Sequence, residues 1–158
     1  MPDDLYHRDV LAWSQHQADL LRRVGSGERV NGVDWDLVAE EIEDVGLSEL
    51  HSVESYLELL LAHLMKIHGW PESQSVKHWW SEIVTFQRNM RRRFAPSMRQ
   101  RIDLADAYAG AIETLEPEQF DGLPPRPWPG ICPFTLDQLL HERRAGLEAL
   151  LAAVPPPT

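Results

Sequence analysis

Residues 48–68 read SELHSVESYLELLLAHLMKIH. Within them Leu50, Val53, Leu57, Leu60, Leu64 and Ile67 recur at steps that alternate between three and four. An α-helix turns once per 3.6 residues, so these side chains fall on one face. Tyr56, Leu59 and Leu61 widen that face almost round the cylinder, which predicts a central helix contacted on several sides. Ser48 is the expected N-cap, and Gly69-Trp70-Pro71 the expected stop.

The segments on either side carry the same period. Tyr6, Val10, Trp13, Gln17, Leu20 and Val24 predict a first helix over 4–24, with Gln17 the one polar interruption and Gly25-Ser26-Gly27 its end. Trp35, Val38, Ile42 and Val45 predict a short second helix over 35–45, with Asp34 as its cap and Gly46 closing it. Val76, Trp79 or Trp80, Ile83, Phe86, Met90 and Phe94 predict a helix over 75–94, broken by Ala95-Pro96. The next starts at Ser97, with Gln100 at capping-box spacing. It has two apolar stripes, one through Ala105, Ala109 and Ile112 and one through Leu104, Tyr108, Ala111 and Leu115. Residues 116–134 hold six prolines and no helical period. They read as an extended connector pinned by Phe120, Trp128 and Ile131. Thr135 and Gln138 form a second capping box, opening a last helix that runs to Val154 before the proline tail 155–158. The expectation is one all-α domain over 1–154, a bundle of about six helices around the segment 48–68.

Charge is unevenly spread. Residues 1–58 carry 14 acids and 4 bases, residues 59–101 carry 2 acids and 8 bases, and residues 102–158 carry 9 acids and 3 bases. The net charge of −10 argues against long-range attraction to nucleic acid. The basic segment nevertheless offers Arg88, Arg91, Arg92, Arg99 and Arg101 as a candidate anion-binding surface. No stretch reaches the ~20 apolar residues of a membrane span. The acidic start Met1-Pro2-Asp3-Asp4 does not read as a signal peptide, and one cysteine, Cys132, excludes an internal disulfide framework. A reducing cytoplasm is the expected setting.

Chemical signatures are few. No glutamate has a histidine three residues later, which argues against a helical di-iron site, and no His-Glu-x-x-His, phosphate-binding glycine loop or Gly-x-Ser-x-Gly is present. Cys132 precedes a helix start but has no base at a telling spacing. The remaining candidate is a polar cluster of Glu40, Glu41 and Glu43 with His63 and His68, since carboxylates beside imidazoles can bind a cation or move protons. The alternative is that the two histidines are core residues with satisfied hydrogen bonds. No catalytic residue, metal ligand or cofactor is assigned.

Several motifs together resemble a bacterial family known as domain of unknown function number twenty-nine. They are Leu5-Tyr6 with Asp9 and Trp13, Asp34-Trp35 leading into Ala39-Glu40-Glu41-Ile42-Glu43 and Gly46, His63-Leu64-Met65-Lys66, Trp70-Pro71, Trp80 with Ile83 and Arg88, Pro96-Ser97-Met98-Arg99, Tyr108, and Cys132-Pro133-Phe134-Thr135. The chain departs from it at Ile67-His68-Gly69 and in a longer proline connector. The resemblance implies a compact helical protein of the bacterial cytoplasm and no activity. Apolar residues outside the main stripes, notably Leu59 and one of Trp79 and Trp80, point to a non-enzymatic interaction module that associates with itself or another protein. Polyanion binding through residues 88–101, and a metal-binding protein or enzyme built on Glu40–Glu43 with His63, are the alternatives.

Overall fold

The computed structural model describes residues 2–155, with side chains from Leu5 onward. Among them are seven α-helices, one 3₁₀ turn and no strand. The all-α expectation therefore holds, and four boundaries differ from it. The chain divides into two compact units, residues 1–48 and 49–158, with helix α3 (Trp35–Gly69) contributing to both. The end of the proline tail, residues 156–158, lies outside the described residues.

In the first unit the expected opening helix is two, α1 (Pro2–Arg8) and α2 (Val10–Gly25). Asp9 separates them because its carboxylate accepts from Ala12 N at 2.9 Å, capping α2 from an extended backbone. Trp13 and Leu20 are buried, and Tyr6 meets Trp13 edge-on at 4.9 Å. Gln17 is buried among them for a reason the periodicity does not disclose. Its amide donates to Gly32 O at 3.2 Å and accepts from Asp34 N at 2.9 Å, tying the loop after α2 to the helix.

The expected helices over 35–45 and 48–68 are one helix. Gly46 does not end α3: it lies inside the helix and lacks the positive φ of a terminating glycine, which Gly27 does have. Ser48 is likewise interior rather than a cap.

The second unit is built on the rest of α3. Val53, Leu57, Leu60, Leu61, Leu64 and Met65 are fully buried, as the spacing predicts. Helix α4 (Val76–Arg93) buries Ile83 and Met90 together with both Trp79 and Trp80. Neither tryptophan is therefore the outward-facing one expected. Residues 96–100 form the 3₁₀ turn, and α5 (Leu104–Leu115) starts later than expected, capped by Asp103 accepting from Asp106 N at 3.0 Å. The last helix is again two, α6 (Leu136–His141), with the expected Thr135/Gln138 capping box, and α7 (Arg144–Ala152). Between them Glu142 and Arg143 are extended, and Gln87 of α4 fills the gap by donating to Leu139 O at 2.9 Å and Glu142 O at 2.7 Å.

The connector is held by side-chain hydrogen bonds to the rest of the unit. Trp70 Nε1 donates to Leu123 O, Tyr108 Oη to Pro129 O at 2.5 Å, and Trp128 Nε1 back to Met65 O at 2.9 Å. Phe120 lies edge-on against Trp70 and Trp79. Gly69 lets the connector approach closely: a Cβ there would meet Pro125 Cβ and Trp128 Nε1 at 3.2 Å, and these would have to give way slightly. Ile131 does not pin the connector; it is 84% exposed. Burial pushes the Tyr108 phenol up to about 12, with the nearby Cys132 adding to the shift. Tyr108→Phe deletes one hydrogen bond and keeps the ring, so a loss of about 0.5–1.5 kcal/mol is expected in urea denaturation.

Candidate functional site

His63 is one of two buried polar side chains described in the second unit, the other being Gln87. It is buried on α3, edge-on to Phe86 at 4.9 Å. Its Nδ1 lies 2.8 Å from Leu59 O, and its Nε2 lies 2.7 Å from Glu82 Oε2. Both partners accept. A neutral imidazole has one N–H and serves one of them, while an imidazolium serves both. Burial pushes the His63 pKa down most strongly and the Lys66 ammonium adds to it; the Leu59 carbonyl and Glu82 pull the other way, and the net direction is down. The pair is thus a site that can take up and release one proton. Glu82 also faces His78 Nε2 at 3.4 Å.

A depressed histidine pKa has a fixed consequence for stability. Between its folded value and the unfolded value near 6.5, the unfolded chain binds more protons, so stability rises with pH there. The contribution of His63 is present above pH ~6.5 and is lost as pH falls through the folded pKa. Urea denaturation of wild type and His63→Gln at pH 5 and pH 7.5 is expected to show a shallower acid loss in the variant. Equal losses would assign the acid sensitivity elsewhere.

Of the other members of the expected polar cluster, Glu41 and His68 have partners of their own. Glu41 accepts from Tyr6 Oη at 2.5 Å within the first unit, and that bond together with burial raises the tyrosine's pKa. Glu40 and Glu43 are exposed on the same part of α3. His68 is half-buried, with Nε2 3.3 Å from Pro127 O in the connector. The carboxylate that the structure gives His63 is Glu82, which the sequence did not single out. Nothing in the spacing joins positions 63 and 82; only the packing of α3 on α4 does. Among the described residues, no group of three or more His, Cys, Asp or Glu side chains is placed to hold a metal ion.

The arginine segment is exposed throughout, but much of it is engaged. Arg99 pairs with Asp137 at 2.8 Å and lies over the Phe94 ring, and neighbouring Arg93 pairs with Glu49 at 3.0 Å. Arg91 approaches Gln87 Oε1 at 3.5 Å, and Arg101 lines a small cavity with Glu54, Glu58, Asp103 and Asp106. Among the described residues, Arg88 and Arg92 of α4 have no acidic partner.

Cys132 is a half-buried free thiol, 3.5 Å from Phe134 O. Burial pushes its pKa up, offset only in part by the Phe134 backbone, and the net shift disfavours the thiolate.

Further exposed apolar side chains lie on the first part of α3. Trp35, Ile42 and Val45, the apolar period of the expected helix over 35–45, are 60%, 68% and 70% exposed. Val10 and Leu11 of α2, in the same unit, are also exposed.

Among described residues, no helix is long and apolar enough to cross a membrane. No curated protein matches the chain significantly. A solved structure described as an alpha-helical protein of unknown function from Rhodospirillum rubrum is similar to it. The two are 29% identical with a TM-score of 0.63, over 95% of this chain and 98% of that one. A family model, Domain of unknown function DUF29, matches residues 5–144. The chain belongs to the DUF29 family, as its motifs led one to expect.

Proposed function

We propose that the protein is a non-enzymatic interaction module that self-associates through the apolar stripe of Trp35, Ile42 and Val45. The carrying observation is their exposure on one helical face, with Val38 half-buried on the same line. Three- and four-residue spacing makes such a line a seam for a second helix. Large apolar side chains clustered in water normally mark a partner site. A two-fold pairing sets this stripe against its own copy. The exposed acids Asp36, Glu40, Glu43 and Asp44 lie on the other faces of the same helix, so the negative charge of both copies opposes the pairing and salt relieves it. A cytoplasmic setting belongs to the same proposal and is supported by the lone free thiol.

The test is light scattering on wild type and on Ile42→Glu with Val45→Glu. Wild type is expected to associate more strongly as salt rises, and the double variant to stay monomeric with an unchanged helical spectrum. A variant that assembles like wild type would overturn the reading. Arg88 and Arg92 support a second reading, polyanion binding. Retention on heparin that is lost in Arg88→Ala with Arg92→Ala would support it, and flow-through at low salt would end it.

A further inference from the structure

Helix α5 carries two apolar stripes, and the protein covers one of them. Tyr108, Ala111 and Leu115 are buried, whereas Ala105 and Ala109 remain exposed and Ile112 half-exposed. These last three line a groove of about 990 Å³, whose other wall is the connector segment from Trp128 through Ile131 to Cys132. Its size is that of a small-molecule site, and its surface is mostly apolar. The charged side chains are placed at one end. Glu113 and Glu116 line the groove at the C-terminus of α5, where the helix dipole adds further negative charge. No lysine, arginine or histidine lines it.

We propose that this groove binds an elongated amphiphilic cation: an apolar body along Ala105, Ala109 and Ile112, and an ammonium end held by Glu113 and Glu116. From Leu104 to Glu116 the helix rises about 18 Å, long enough for a fatty alkyl chain. The carboxylates set the sign of the head group, because an anionic end would meet two like charges with no base to offset them. The site lies wholly in the second unit and is independent of the stripe on the first part of α3.

Cys132 is the chain's only cysteine and lines the groove, so its alkylation by a maleimide reads occupancy directly. n-Decylammonium, kept below its micelle concentration, is expected to slow alkylation saturably, and decanoate to protect at least about threefold less well. Glu113→Gln with Glu116→Gln is expected to weaken decylammonium protection about three- to tenfold while leaving protection by decanol unchanged. Ala109→Trp fills the groove from an exposed helix position and is expected to remove protection by both. Ala105→Phe makes the same test should the tryptophan variant lose its helical spectrum. Alkylation indifferent to decylammonium, equal protection by decylammonium and decanoate, or protection that survives the filled groove would each overturn the proposal.

Discussion

Leu60→Ala is expected to cost about 2–5 kcal/mol, and its neighbour Leu59→Ala less than about 1 kcal/mol. The two leucines differ by one position and 100° round α3. Leu60 is fully buried, while Leu59 is 41% exposed. Truncating Leu60 loses the transfer free energy of the removed carbons and leaves a cavity whose walls collapse only in part. Truncating Leu59 removes surface that water already reaches. For a domain with about 5–15 kcal/mol of stability, the first change takes a large share and the second does not. Urea denaturation reads both as shifts in midpoint at an unchanged slope. Equal effects at the two positions would mean that α3 is not packed as described.

Gln87→Glu is expected to be the most damaging near-isosteric change in the protein, at about 3–5 kcal/mol near neutral pH. The Gln87 side-chain nitrogen supplies both protons to the carbonyls of Leu139 and Glu142, which lie at the end of α6 where helical partners run out. A carboxylate there has no proton to give and faces two carbonyl oxygens in a buried place, with only the exposed Arg91 guanidinium, 3.5 Å from the present Gln87 Oε1, to offset its charge. Gln87→Met, which only leaves the carbonyls unserved, is expected to cost about 1–3 kcal/mol. The two variants separate on acidification, because protonating the introduced carboxylate restores one donor and removes the charge. Thermal melts at neutral and mildly acid pH are expected to show partial recovery of the carboxylate variant and none of the thioether variant. Equal behaviour of the two would locate the stabilising contact elsewhere.

The fold was legible where burial sets the period. Leu57, Leu60 and Leu64 lie where their spacing puts them, and the Thr135/Gln138 box forms as its residues demand. Boundaries were less legible, because they depend on groups distant in sequence. Gly46 reads as a stop, yet a glycine inside a helix costs only about 1 kcal/mol against alanine, and the continuing stripe outweighs it. The break between α6 and α7 carries no glycine or proline; the reason for it sits in Gln87, some fifty residues earlier. His63 was legible as a histidine in the core with its hydrogen bonds met, but its carboxylate partner Glu82 was not. The stripe of Trp35, Ile42 and Val45 was legible as a stripe but its exposure was not, since periodicity gives the face and not what covers it. The second stripe of α5 was visible in the sequence for the same reason, and the groove follows from what the connector leaves open.

That a second molecule lies over this exposed line of side chains is the claim on which the functional account stands. Sedimentation equilibrium of the full chain addresses it most directly. The account predicts a weight-average mass that climbs with concentration from 18.1 kDa toward a multiple of it, more steeply in high salt. A mass fixed at 18.1 kDa across concentration and salt would contradict it.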